Sequence, residues 1–256
     1  MPPIRQAAVG AAALVLSAAP APAFDEALYA TLLERHARTV EDVARVRVDY
    51  PAIARSADWK RLVAGLAATD LASLPTRDEQ LAFWIDAYNV LAIDLVASHY
   101  PLESIRDIGS FFRPVWKRPA GVVGGRSVTL DEIEHGIVRP LGEPRAHAVV
   151  VCASTSCPAL PREPLRAATL DAQLDAATDA WLADPGKGLR IEREADTIHL
   201  SRIFDWFEED FEPAGGVLTF VARHAPVSDR AWLRERGAAA RIVYLDYDWS
   251  VNAVRR

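Results

Sequence analysis

The sequence predicts an α+β fold: a single compact domain of several amphipathic helices packed on a small, mainly antiparallel sheet. Two segments open with capping boxes and continue at helical spacing, and one β-branched run turns at a Gly-Gly pair. The remaining strand-like segments lack the regular strand–helix alternation of a doubly wound sheet. The chain has 256 residues, 50% hydrophobic and 25% charged, with seven Trp, eight Phe and six Tyr. That composition is globular and large enough for a substantial core. A formal net charge of -6 and the lack of any long Lys/Arg run argue against nucleic-acid binding. No glycine-rich phosphate loop occurs, so nucleotide binding is not indicated; neither a cofactor nor a metal is expected.

Arg5, the apolar run Ala7 to Ala19 and the Ala21-x-Ala23 pattern have the three parts of a secretory signal peptide. Residues 1–23 are therefore expected to be removed, leaving 24–256 as one globular domain. No other stretch reads as a membrane anchor. The expected location is exported, secreted or periplasmic.

Along the mature chain, Leu28, Leu32, Val40, Val43 and Val46 suggest a helix from Asp25 to Arg47, and Trp59, Leu62, Val63 and Leu66 a second from Asp58 to Thr69. Thr76 and Glu79 form a capping box before Leu81, Trp84, Ile85, Tyr88, Leu91, Ala92 and Leu95, one apolar stripe. Pro101 ends that helix near Ser98 or His99. Val122 to Val128 reads as a hairpin turning at Gly124-Gly125. Thr129 and Glu132 form a second capping box, opening a short helix that carries Glu134 and His135. Ala146 to Cys152 reads as a buried strand, and Leu170 to Leu182 as a helix capped by Thr169. Leu189–Ile191 and Thr197–Leu200 should pair, Ser201 should cap the helix holding Phe204, and Arg241–Leu245 should be a last strand.

The two cysteines, Cys152 and Cys157, enclose four small or hydroxylated residues. In an oxidising compartment such a pair reads as a disulfide, stabilising by about 2 kcal/mol on the chain-entropy model. The spacing is not C-x-x-C, so a thioredoxin-type motif is not indicated.

Several of these segments follow one another in a recognisable order. They are Leu81-Ala82-Phe83-Trp84-Ile85-Asp86-Ala87-Tyr88-Asn89, Leu130-Asp131-Glu132-Ile133-Glu134-His135-Gly136, His147 with Cys152 and Ser156-Cys157-Pro158, and Leu200-Ser201-Arg202-Ile203-Phe204-x-Trp206-Phe207. Together they resemble the family called domain of unknown function 547, over roughly residues 76–212. Tyr247-Asp248-Trp249-Ser250-x-Asn252 resembles a tail common beside it. Asp86 departs from the Asn more usual in similar sequences. The resemblance implies exported bacterial members and plant or animal members fused to other domains, without an agreed reaction.

The candidate pocket comprises Asp86, Asn89, Glu134, His135, Arg139 and His147. Asp86 and Asn89 share one side of a helix as a polar pair, and Asp131 and Glu132 lie on the His135 face. Glu132-x-x-His135 has the spacing of bundle di-metal sites but lacks the second copy they need. On an extended strand His147 and Cys152 would lie on opposite faces about 17 Å apart, which rules them out as a dyad. Two function classes follow. One is a binding or scaffold domain for a small molecule or protein, stapled by Cys152–Cys157. The other is a cysteine-dependent hydrolase or acyl transferase. In it His135 would raise the thiolate fraction of Cys152 or Cys157, Asn89 would orient the imidazole, and the Ser154–Ser156 amides would hold an oxyanion. Phe111, Phe112 and Trp116, flanked by Arg113, Lys117 and Arg118, read as a cover over the core or as a ligand or partner surface.

Overall fold

A computed structural model describes residues 24–255; the signal-peptide reading of residues 1–23 lies outside them. Helix α1 (Glu26–His36) starts where the Asp25 carboxylate accepts the Leu28 amide at 2.9 Å. It ends eleven residues short of the expected boundary at Arg47, and the chain turns into an antiparallel pair, β1 (Ala37–Thr39) and β2 (Val46–Val48). The β-branched residues here are poor helix formers, and the Val48 amide finds its acceptor in the Asn252 carbonyl at 2.9 Å. A contact from the far end of the chain thus overrides the helical spacing.

Helices α2 (Tyr50–Arg55) and α3 (Ala57–Ala68) follow, capped by Asp49 and Ser56. The second buries Trp59, Leu62 and Leu66. Helix α4 (Arg77–His99) carries the expected capping box: the Glu79 amide donates to Thr76 Oγ1 at 3.2 Å, and the Thr76 amide to Glu79 Oε2 at 2.9 Å. Residues 81–93 and 95–97 are buried on every face, Asp86 and Asn89 included. The apolar stripe is therefore one side of a helix enclosed all round, as an all-apolar helix in a soluble core must be. Helix α4 is long and apolar enough to cross a membrane, yet most of it lies inside the protein.

The hairpin of β3 (Pro119–Val123) and β4 (Arg126–Thr129) packs on α3 and α4. Gly124 and Gly125 have φ of +54° and +76°, the left-handed pair that a two-residue hairpin turn of the right twist requires. Thr129 ends β4 and caps α5 (Leu130–Ile133), again with both capping-box bonds. The helix then widens into a π-turn over Glu134–Val138, which buries Glu134 and leaves His135 half-exposed.

The segment Ala146–Cys152 is not a strand. Pro144 opens a short 3₁₀ turn to Ala148, and the chain to Cys152 is irregular. Its backbone is satisfied by a side chain instead of a neighbouring strand: Asn89 Nδ2 donates to the Val149 carbonyl and Asn89 Oδ1 accepts from the Val151 amide, both at 2.8 Å. The extended geometry that separated His147 from Cys152 does not apply.

Helix α6 (Leu170–Leu182) has the expected bounds, but the Thr169 hydroxyl bonds to the Gln173 side chain and caps nothing. Beyond it a second core gathers Trp181, Phe204, Phe211 and Phe220. Trp181 and Phe204 stack at 4.8 Å. Strands β5 (Leu189–Glu192) and β6 (Thr197–Leu200) pair antiparallel, and β7 (Arg241–Tyr244) joins β6 in parallel. Ser201 Oγ accepts a long 3.4 Å bond from Ile203 at the start of α7 (Ile203–Trp206), which is followed by α8 (Glu208–Phe211). Two helices that the residue pattern did not announce, α9 (Val217–His224) and α10 (Val227–Arg236), complete this half. The fold is α+β with small, mainly antiparallel sheets, divided into three among the described residues.

Candidate functional site: a thiol pair under an aromatic cleft

The two halves meet at a cleft of about 350 Å³. Helix α4 brings Tyr88, the π-turn brings Glu134 and His135, the 3₁₀ turn brings His147, α7 and its exit bring Trp206 and Phe207, and the C-terminal tail brings Tyr247 and Trp249. Cys152 and Cys157 belong to its lining, Cys152 partly exposed and Cys157 buried.

The disulfide expected between them is not formed: both cysteines are free, with their sulfurs 2.6 Å apart in hydrogen-bond contact. Around Cys157 Sγ the fold has assembled a donor set suited to a thiolate. The Cys152 amide reaches it at 3.1 Å, the Tyr247 hydroxyl at 3.2 Å and the Ser154 hydroxyl at 3.3 Å. Ala153 makes this possible by adopting φ +61°, a left-handed conformation uncommon for a residue with a Cβ, which turns the Cys152–Ser154 backbone around the sulfur. Burial raises the Cys157 thiol, but the bonds from Cys152, Ser154 and Tyr247 outweigh it and bring its pKa down to about 6. The bond to Cys157, with burial, pushes Cys152 up. The two thiols are therefore pushed in opposite directions, Cys157 toward the thiolate and Cys152 toward the protonated form.

The C-terminal tail clamps the cysteine loop. The Thr155 amide donates to the Ser250 carbonyl at 2.8 Å, the Ser156 amide to Asp248 at 3.2 Å, and the Asn252 amide to Ala153 at 3.0 Å. These bonds consume the Thr155 and Ser156 amides that were expected to hold an oxyanion. Behind the loop, buried Lys187 donates to the Cys157 carbonyl at 2.6 Å and to the Ala44 carbonyl at 3.1 Å. Desolvation lowers its pKa to about 8, against the pull of the Cys157 and Asp184 charges.

Two ionisable groups face the thiols from the side. Glu134 is buried against Tyr88 and His147; burial raises its pKa, opposed by His147 and Tyr88. His147 Nε2 meets Asp210 Oδ2 at 2.7 Å, and its ring lies 4.5 Å from that of Phe207. Arg139 grips both Asp210 oxygens, at 2.7 and 2.9 Å, with its guanidinium 5.1 Å above Phe207. Burial would raise the Asp210 carboxyl, but the bonds from His147 and Arg139 hold it down to about 2.

The fold thus brings together Glu134, His135, His147, Cys152 and Cys157, with Asn89 beneath as the anchor of the loop and Arg139 beside it. Asp86 stands apart. Its Oδ2 accepts the Leu165 amide at 3.0 Å, so it does not pair with Asn89. The Arg139 guanidinium donates to His135 Nδ1 at 2.6 Å, and His135 Nε2 lies 3.9 Å from Asp131. Asn89, spent on backbone, does not orient an imidazole. Residue spacing did not single out Tyr88, Trp206, Asp210 or Tyr247 as site members; for Tyr247 the tail resemblance was the available signal. Among the described residues no group of three or more His, Cys, Asp or Glu is placed to hold a metal ion.

Residues 71–182 match the family described as protein of unknown function, DUF547. The match covers 112 of the 256 residues, a DUF547-like stretch within a longer chain. No curated protein and no solved structure matches it. The DUF547 stretch holds both cysteines, Asn89, Glu134, His135 and His147, but ends at α6, short of the resemblance read to residue 212. Asp210 and Tyr247, which complete the site, come from outside the DUF547 match.

Proposed function

We propose that this domain is a dithiol–disulfide exchange site working on a small disulfide-containing partner admitted to the cleft. The observation that carries the reading is the 2.6 Å contact between Cys152 Sγ and Cys157 Sγ, beside a donor set that acidifies Cys157. A hydrolase needs one nucleophile and an oxyanion site, and here the Thr155 and Ser156 amides are committed to the tail. A second sulfur in contact is a hindrance to acyl transfer and a requirement for exchange.

In the proposed cycle the Cys157 thiolate, held by its donors, accepts the proton of the Cys152 thiol, so that Cys152, the more exposed sulfur, becomes the attacking thiolate. It attacks one sulfur of the partner's disulfide, forming a mixed disulfide and expelling the other sulfur as a thiolate. Cys157 then gives its proton to the Glu134 carboxylate and attacks Cys152 Sγ. This closes the Cys152–Cys157 bridge and expels the second partner sulfur, and Glu134 returns the proton to a departing thiolate. Two electrons leave the dithiol and reduce the partner disulfide; the reverse sequence oxidises a partner dithiol. The bridge read from the sequence becomes the oxidised half of the cycle. We also propose export, on the residues 1–23, which N-terminal sequencing beginning at Phe24 would support.

The test is to mix the reduced chain with glutathione disulfide and follow the intact mass. Loss of two hydrogens, faster than for the same chain unfolded in denaturant, supports the reading. Cys157→Ser should instead accumulate a glutathione adduct on Cys152. No oxidation beyond the unfolded rate sinks it.

A further inference from the structure

One feature on the rim of the cleft takes no part in the thiol chemistry. Ser110 and Arg113 close a tight turn: the Ser110 amide donates to the Arg113 carbonyl at 2.9 Å, and the Arg113 amide donates to the Ser110 carbonyl at 3.2 Å and to Ser110 Oγ at 3.1 Å. Phe111 and Phe112 occupy its tip. Each is 94% exposed, and the rings meet edge to face at 5.4 Å. Two adjacent phenyl rings held in water by a fixed turn are costly unless something covers them.

The charge around the turn says what that is. From Glu103 to Arg118 the chain carries four cations, Arg106, Arg113, Lys117 and Arg118, all exposed, against two carboxylates. Asp107 is turned back onto the Glu103 and Ser104 amides. Among the described residues none of the four cations has an ion-pair partner, in a protein whose net charge is -6. Arg118 is braced on the Ile108 carbonyl at 2.9 Å and Arg106 lies 5.2 Å over Trp249, so this cationic collar is held in place. Aromatic tips ringed by Arg and Lys match the headgroup region of an anionic bilayer, where rings enter the boundary and cations meet lipid phosphates. A second copy of the chain would bring like charges together around the same rings.

We propose that the Phe111–Phe112 turn is a docking wedge for an anionic lipid bilayer. Pro114, Trp116 and Trp249 line both the hollow beside this turn and the cysteine cleft, so docking presents the mouth of the cleft to the membrane surface. The inference is independent of the thiol reading.

Co-sedimentation of the full chain with vesicles of phosphatidylcholine alone, or mixed equally with phosphatidylglycerol, tests it at low and high salt. Binding is expected to the mixed vesicles only, weakening with salt. Phe111→Ser/Phe112→Ser should lower affinity at least about tenfold, and Arg113→Gln or Arg118→Gln about fivefold each. The thiol alkylation rate of the double variant should match the parent, showing an intact cleft. Absence of binding to mixed vesicles, equal binding to both compositions, or undiminished binding by the double variant would overturn the proposal. So would a Phe111/Phe112-dependent dimer in sedimentation velocity without lipid, which assigns the surface to a second copy.

Discussion

Asn89 Oδ1 accepts the Val151 amide at 2.8 Å across 62 residues of sequence, tying the middle of the central helix to the residue before Cys152. With the matching bond from Asn89 Nδ2 to Val149, one buried carboxamide substitutes for the strand neighbour this segment lacks. The position of the thiols depends on that grip.

Replacing Asn89 with Leu orphans one buried amide and one buried carbonyl. At about 1–3 kcal/mol per unsatisfied group, chemical denaturation should show a loss of about 2–6 kcal/mol. The alkylation rate of the cysteine pair should fall as well, because the loop loses its seat. A stable variant with an unchanged rate would show that the loop is held by other means.

The acidity of the pair is open to direct titration. Alkylation of the reduced protein followed against pH should rise through a midpoint near 6, set by Cys157 and its donors. Tyr247→Phe removes the hydroxyl at 3.2 Å and should move that midpoint upward. A midpoint in the range of an ordinary thiol would remove the donor-set argument.

Asp210 links pH to stability. Its carboxyl is held at about 2 in the folded protein against 3.8 ordinarily, so the unfolded chain binds the proton more tightly. Stability from this group is complete above the ordinary value and is lost as pH falls from about 4 toward 2. Partial exposure screens the interaction, leaving a contribution on the order of 1 kcal/mol. Asp210→Asn should flatten the acid limb of a stability–pH curve by that amount, and an unchanged limb would rule out the link.

Trp84 sits inside α4 with its ring edge-on to Phe83 at 5.4 Å and little of it exposed. Trp84→Ala removes a large buried side chain and leaves a cavity, costing about 3–5 kcal/mol in a denaturant titration. A melting temperature within a degree or two of the parent would contradict its place in the core.

The sequence by itself determined the α+β class, the bounds of α4 and α6, the Gly124-Gly125 hairpin and both threonine capping boxes. These are local: a side chain caps an amide three residues away, a glycine pair takes positive φ, an apolar run cannot stay in water. It also singled out Glu134, His135, His147 and the cysteines as candidates, but set His147 on the far face of a strand from Cys152. Only the tertiary structure decided which of them do what. The end of α1 depends on Asn252, the shape of Ala146–Cys152 on Asn89, the engagement of His135 on Arg139, and the environment of Cys157 on Tyr247 and the tail. Each is a hydrogen bond, most of them between residues far apart in the chain, formed where local preference was weak and a buried polar group had to be satisfied. Residue spacing along the chain carries no record of such partners.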